Sequence, residues 1–347
     1  MTRELQITKP YISSYPGIAN FLSILQSHPQ TEDWIFQNFI QVVYYENISN
    51  QYLHEMTGSL LDLESGLWLI GQYSYCPFFS QYILNREILH QCNSDIVSFF
   101  KKMIDDNYYV VLYINHKMLS NTPFFQKEDH DNPVMIYGYD DNTEEFLVAG
   151  YFYHNLYSFH RITYQDFMRA EENVKNSNDY SNDYIHRIQF LRFRPNIEYT
   201  FNKEEFLQYL SDYLDSRDHT NKLYFITDKK YYYGLSFYDK MAEQFVQYSI
   251  DERLAQSLFD QKKMMLARLQ FFHKKGYLTK GQKENFIRKT DAIIKNLEII
   301  RNVILKNRVR YGEFEWPQHL KNELVDAVYA TQRIDYLLTK ELYDYFK

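Results

Sequence analysis

Cysteine is scarce in this chain and occurs only at Cys76 and Cys92. Neither lies in a CxxC pair or beside a histidine at zinc-ligand spacing, and the histidines are scattered singly, so we assign no metal. A chain of 347 residues can bury a core without disulfides or metals. This cysteine usage is typical of a protein in a reducing cytoplasm.

Glycine and proline are also few, with 10 and 8 copies, which disfavours a disordered or linker-rich chain. The sequence contains no G-x-G-x-x-G, no phosphate-binding loop and no G-x-S-x-G. These absences argue against the common nucleotide-binding proteins and serine hydrolases.

Long apolar runs and an excess of basic residues are missing as well. No window approaches the roughly 20 apolar residues of a membrane span, and the amino terminus lacks the pattern of a secretion signal. With a net charge of −7, the chain shows no electrostatic footprint for nucleic acid. We therefore expect a soluble cytoplasmic protein with neither membranes nor nucleic acid among its partners.

The periodicity that is present predicts an α+β protein of two domains, 1–195 and 196–347. The first should hold a central antiparallel sheet, since 133–153 reads as a hairpin turning at Asp140-Asp141-Asn142-Thr143. Further strands are predicted at 108–114, 157–162 and 185–193. The second domain should be α-helical, with helices predicted at 202–216, 237–248, 252–275, 281–307 and 318–346.

Cys76 is the most informative residue, because Pro77 follows it and proline favours the first position of a helix. We predict a helix over 77–91 capped by Cys76, where the positive helix end would stabilise a thiolate. The alternative is a small buried hydrophobe. Cys92 lies near a helix end with no such features and is interpreted as structural.

His130 is the candidate base, since a nucleophilic thiol needs a partner that holds or removes its proton. It precedes the strand predicted at 133–139 and could project toward a helix end. The alternative is an exposed histidine in the polar loop that contains Asp129. A cysteine before a helix followed by a histidine entering a strand is the order of a papain-like nucleophile and base.

The hairpin Ile136-Tyr137-Gly138-Tyr139-Asp140 with Phe146-Leu147-Val148-Ala149 resembles the histidine-bearing hairpin of papain-like peptidases of the C39 type. More closely, the chain resembles proteins with a butirosin-biosynthesis H-type amino-terminal domain. Besides the hairpin, the motifs behind this resemblance are Cys76-Pro77, the segment Ile96 to Ile114, Tyr233-Gly234 before Phe237-Tyr238-Asp239, and Arg301-Asn302.

The resemblance implies a papain-like fold and specific site residues. Cys76 matches the nucleophile, His130 is the candidate base and Gln72 the candidate oxyanion donor. In the relatives the histidine lies about six residues before the hairpin glycine, a position held here by Asn132. The relatives' orienting carboxylate would fall near Ala149-Gly150, so either a group such as Asp131 or Asn155 orients the imidazole, or the site is a Cys-His dyad.

Such relatives occur in thiotemplated pathways, including nonribosomal peptide biosynthesis. The resemblance implies a cysteine-dependent acyltransferase that takes an acyl group from a thioester on an acyl or peptidyl carrier protein. Acyl-Cys76 would then pass that group to a small-molecule amine. No cofactor of the protein itself is expected, since the acyl group would be presented on the carrier's phosphopantetheine. Two alternatives remain: a cysteine peptidase or amidase, and a catalytically dead papain-like binding or scaffold protein.

Overall fold

The computed structural model describes residues 1–47, 58–61, 76–93, 95–153, 156–174, 185–217, 229–247, 252–312 and 316–347. Its strands are β1 (Thr2–Glu4), β2 (Val42–Asn47), β3 (Gly58–Leu61), β4 (Phe79–Asn85), β5 (Tyr108–Asn115), β6 (Asp131–Asp140), β7 (Glu145–Tyr151), β8 (Tyr157–Thr163), β9 (Arg187–Phe193) and β10 (Lys229–Tyr233). Its helices are α1 (Pro16–Leu25), α2 (Glu32–Gln37), α3 (Arg86–Cys92), α4 (Ile96–Asp105), α5 (Tyr164–Glu172), α6 (Lys203–Leu214), α7 (Ser236–Gln247), α8 (Glu252–Lys274), α9 (Lys280–Tyr311) and α10 (Gln318–Phe346).

The protein is α+β and divides into two compact units. Unit 1 comprises Met1–Thr31 and Ile70–Glu198, and unit 2 comprises Glu32–Leu69 and Tyr199–Lys347. The boundary predicted at 195 lies three residues from the end of unit 1, but the first domain is not the continuous 1–195 expected. The intervening segment joins the second unit because α2 and β2 pack against α8.

Unit 1 is built on an antiparallel sheet of order β4-β9-β5-β6-β7-β8, with β1 added to β6. The predicted hairpin is confirmed: β6 and β7 pair from Val134 opposite Gly150 to Asp140 opposite Glu145. A register shift between Ile136 and Gly138 interrupts this ladder. Beyond that point β1 replaces β5 as the neighbour of β6.

Gly138 allows β1 to come this close. A β-carbon at this position would lie 2.6 Å from the Arg3 carbonyl oxygen and 2.7 Å from Leu147 Cδ1. Real β-carbons do not tolerate such distances, and one of the two atoms belongs to backbone that cannot rotate away. The attachment of β1 to β6 therefore depends on a glycine here.

Unit 2 is mainly helical, as predicted, and also contains a three-stranded sheet in the order β10-β2-β3. Arg268 on α8 is fully buried; its Nε donates to the carbonyl of Phe36 at 2.8 Å and its Nη2 to that of Asn38. These carbonyls belong to the carboxyl end of α2, where a positive charge is favourable. The guanidinium thereby fastens α2 to α8.

A buried polar network joins four helices of unit 2. Lys262 Nζ of α8 lies 2.5 Å from Asp335 Oδ1 of α10, and both side chains are at most 1% exposed. Tyr213 of α6 and Tyr238 of α7 donate their hydroxyls to Asp335 Oδ2 at 2.6 and 2.8 Å. Burial, followed by the charge of Asp335, raises the pKa of both tyrosines, so they remain donors. The carboxylate thus accepts donors from three other helices, and from Thr339 of α10 itself at 3.2 Å.

We expect Lys262→Met to destabilise the protein by about 3–5 kcal/mol, because it leaves the Asp335 charge buried without its counter-ion. Lys263→Met is the matched control, since Lys263 is the exposed next residue of the same helix. Urea unfolding of both variants measures the difference. Equal stabilities for the two variants would show that the ion pair does not hold the helices together.

Candidate functional site

The structure places Cys76 before a strand and not at the start of a helix. Cys76 is 2% exposed, and its carbonyl accepts the N–H of Phe79, the first residue of β4. The helix predicted over 77–91 is therefore wrong in its first half. The ladder that β4 forms with β9 along its whole length satisfies the backbone groups on the inner side of this edge strand, in place of helical hydrogen bonds.

Helix α3 begins only at Arg86, where Asn85 is the cap and its side chain accepts the N–H of Glu87 at 2.8 Å. The positive helix end that was expected to activate the Cys76 thiol is thus formed by other residues. Cys92, interpreted as structural, is the last residue of α3 and is exposed.

Cys76 and His130 lie at opposite ends of the unit 1 sheet. Cys76 precedes Phe79, which pairs with Phe193 at the end of β9, and the neighbouring Arg192 pairs with Tyr108 at the start of β5. His130, in contrast, precedes Asp131, which pairs with Asn115 at the end of β5.

The length of β5 sets the distance between these two residues. The strand has 8 residues, and at a rise of about 3.3 Å per residue it separates its two ends by roughly 20 Å. A proton transfer needs about 3 Å between heavy atoms. The Cys76–His130 pair expected from the sequence is therefore not brought together, and Cys76 cannot use this imidazole as its base.

His130 belongs instead to a cluster of rings around Phe152, which we call the histidine cluster. The ring of His116 stacks on Phe152 with 5.7 Å between centroids and lies 6.0 Å from the ring of His130. His160 packs on Phe152 at 4.5 Å, and its Nε2 lies 2.9 Å from Ser158 Oγ. His116 and Phe152 follow the ends of β5 and β7, His130 precedes β6, and His160 lies on β8, so four neighbouring strands bring these side chains together.

Burial controls the protonation of this cluster. It lowers the pKa of His116, which is 0% exposed, to about 4, and the nearby His130 adds to the effect. Burial also lowers the pKa of His130, although the charges of Glu128 and Asp131 oppose it. Within the described part of the chain, neither ring nitrogen of His116 has a hydrogen-bond partner. The cluster therefore holds neutral imidazoles at neutral pH.

A buried ion pair lies at the same end of the sheet. Arg86 donates to the Glu171 carboxylate and, at 2.5 Å, to the Tyr113 carbonyl, while His90 Nε2 lies 3.1 Å from Glu171 Oε1. The negative charge of Asp131 acts on both Arg86 and His130. In each case it opposes the lowering of the pKa that burial causes. Its place near His130 was expected, but the surrounding groups make it part of a structural network.

Of the remaining predicted site residues, the structure describes Asn132 and does not bring it to Cys76. Asn132 pairs with Ile114, at the same end of the sheet as His130. Gln72 and Asn155 lie outside the described residues. The sequence analysis did not identify His116, Arg86 or Glu171. Their contacts join residues that are far apart in the chain, as in the pairs Arg86–Glu171 and His116–Phe152, and no local sequence pattern indicates such a contact.

The start of helix α1 also reaches the histidine end of the sheet, and sequence reasoning missed it too. The Tyr151 hydroxyl, at the end of β7, donates to the carbonyl of Ser13. Ser14 follows, and its hydroxyl is buried with no partner in the described chain. Pro16 at the first helical position was an available signal, the same one that was applied to Pro77.

The sequence matches no protein-family model, and it matches no curated protein. In the described residues, no group of three or more histidine, cysteine or acidic side chains could hold a metal ion. Nor does any helix in the described ranges have the length and apolarity needed to cross a membrane.

We expect the Cys76 thiol to react slowly with an alkylating reagent in the native protein, because the residue is buried and His130 lies at the other end of the sheet. Cys92 provides the internal control, since it is exposed in the same chain. Peptide mass spectrometry over time would show Cys92 labelled first and Cys76 labelled at a comparable rate only after denaturation. Faster native labelling of Cys76 would contradict this placement.

The His116 imidazole should make the protein less stable in acid. An unfolded histidine titrates near 6.5 and His116 in the folded chain near 4, so between these values only the unfolded state binds the proton. Stability present above pH 6.5 is therefore lost as the pH falls toward 4, by about 3 kcal/mol for this group.

The substitution His116→Phe preserves the stacking on Phe152 and removes the titrating group. The variant should lose less stability than the wild type when urea unfolding is compared at neutral pH and near pH 4. An unchanged acid loss in the variant would show that His116 is not its source.

Proposed function

We propose that this protein is a papain-like binding protein of a thiotemplated biosynthetic system and not a cysteine acyltransferase. Its partner would be the acyl or peptidyl carrier protein that the sequence resemblance implies. One observation carries the proposal: the Cys76 thiol is buried at the end of the sheet opposite His130. At that distance His130 cannot take the proton that the thiol must lose before it attacks a thioester carbonyl.

The placement of α1 supports the papain-like part of this proposal. In a papain-like layout the nucleophile stands at the start of a helix packed on the sheet, and the base enters a strand of that sheet. Helix α1 packs on β6 and β7, and Tyr151 holds its start near the beginning of β6. In this chain those positions carry Ser13 and Ser14 at the helix and Asn132 at the strand.

These side chains do not form a nucleophile–base pair. A serine hydroxyl needs a general base to become nucleophilic, and the asparagine amide at the strand position cannot accept a proton at neutral pH. His130 does not stand at that strand position: it precedes the first residue of β6, and its ring stacks on Phe124 with 3.8 Å between centroids. At these positions the described residues therefore do not supply the cysteine and histidine of a papain-like acyltransferase, and the layout is compatible with binding.

The position of the carboxylate that would orient the histidine is held by glycine, which has no side chain to do so. The orienting carboxylate of the relatives falls near Gly150, which lies opposite Val134. A β-carbon at Gly150 would lie 3.2 Å from Val134 Cγ1 and 3.4 Å from the Pro133 carbonyl. An acidic side chain there would press on its neighbours, so the chain neither has the carboxylate nor leaves ready room for it.

The proposal is tested with a panel of acyl thioesters and a set of acyl and peptidyl carrier proteins. Intact mass should show no acyl adduct that depends on Cys76, as judged by comparison with Cys76→Ser. Cys92→Ser is the matched control, since it removes adventitious acylation at the exposed thiol. Fluorescence anisotropy should show a carrier protein binding wild type and both variants alike.

Three results would overturn the proposal. A Cys76-dependent adduct that an amine discharges into an amide would establish the acyltransferase, and discharge by water would establish the hydrolase. Absence of binding to every carrier protein, together with the absence of an adduct, would remove the binding function.

A further inference from the structure

The structure has two adjoining concavities at the Cys76 end of the unit 1 sheet, with volumes of about 430 and 410 Å³. They share Arg192, Phe193 and Pro195 at the end of β9. We propose that together they form a binding groove for a small aromatic anion, an aryl carboxylate or aryl phosphate. We call it the arginine groove.

The charge of the groove is opposite to that of the chain. Among the described residues that line it, Arg3, Arg192 and Arg194 are basic and Glu4 is acidic, whereas the whole chain has a net charge of −7. None of these three arginines forms a salt bridge in the described residues, although arginines elsewhere in the chain do. Their charges are therefore available to an anion.

Two of the guanidinium groups are already positioned. Arg3 Nη2 donates to Asn107 Oδ1 at 2.7 Å, and the Arg3 backbone is fixed opposite Tyr139 by the pairing of β1 with β6. The Arg192 guanidinium lies 5.7 Å from the centre of the Tyr108 ring. Side chains held in this way lose less rotamer entropy when a ligand binds. The planar fork of a guanidinium also matches carboxylate and phosphate oxygens.

Stacked rings contribute to the apolar part of the groove. Phe193 and His28, which line it, stack at 3.7 Å with 6° between ring planes, and the buried Phe78 stacks on Phe193 at 6.1 Å and 7° from outside the lining. Burial lowers the pKa of His28, so the imidazole stays neutral at neutral pH and leaves these stacked rings uncharged. The half-buried Phe193 lines both concavities together with Arg192, so an aromatic ring bound there would have an aromatic neighbour beside a guanidinium.

The arginine groove is independent of the proposed carrier-protein function. It lies at the end of the sheet opposite the histidine cluster, and its lining residues include neither Ser14 nor Asn132. It could therefore bind its ligand even if the carrier protein were not the partner.

The test is a calorimetric titration of the full chain with phenyl phosphate, benzoate, inorganic phosphate and phenol. Phenyl phosphate or benzoate should bind more tightly than inorganic phosphate, which lacks the ring, and than phenol, which is uncharged at neutral pH. The tighter binder of phenyl phosphate and benzoate shows whether the groove prefers a phosphate or a carboxylate. Binding should weaken as salt rises, because the arginines are exposed.

Arg192→Gln should weaken binding of the preferred anion about tenfold, because it removes one charge-assisted hydrogen bond. The double variant Arg3→Gln/Arg192→Gln should weaken it further. Arg333→Gln is the matched control, since it removes the same charge from an exposed position on α10. Urea midpoints of all variants should equal that of the wild type, because the three side chains are exposed.

Equal affinity of wild type and the double variant would overturn the proposal, as would equal binding of phenol and phenyl phosphate. Failure of all four probes to bind would overturn it too. None of these results bears on carrier-protein binding, so the two proposals can fail separately.

Discussion

The antiparallel ladder of unit 1 is the constraint on which the rest of that unit depends. Each strand runs opposite to its neighbour, so the residues that can meet at one end of the sheet are fixed by register and not by sequence order. Strand β5 separates the two ends, with the histidine cluster and the Arg86–Glu171 pair at one and the arginine groove at the other. The candidate chemistry of this protein is therefore divided between two places.

In unit 2, buried charged side chains that are hydrogen-bonded to several helices connect the helices to one another. Arg268 joins α8 to the end of α2, and Asp335 gathers donors from α6, α7 and α8. Burying a charge is costly unless every partner is in place. Such contacts tie the packing of these helices to one arrangement, since any slip would leave a carboxylate or guanidinium unsatisfied.

Local patterns predicted much of the architecture. The hairpin of β6 and β7 follows from its turn residues and flanking apolar runs, and the long helices from their periodicity. The helix after Cys76 was mispredicted because Pro77 gives a local signal, whereas the pairing of β4 with β9 spans more than one hundred residues. For the same reason the sequence could name His130 but could not place it relative to Cys76.

Gly138 has a consequence for how sequences of this fold can change. Its missing side chain leaves room for the Arg3 carbonyl, and Arg3 contributes a guanidinium to the arginine groove. A substitution at 138 would displace β1 and with it the Arg3 guanidinium, although residue 138 does not itself line the groove. In a lineage of such proteins, loss of this glycine should therefore accompany changes at residues 3 and 4, so that the two segments evolve as a pair.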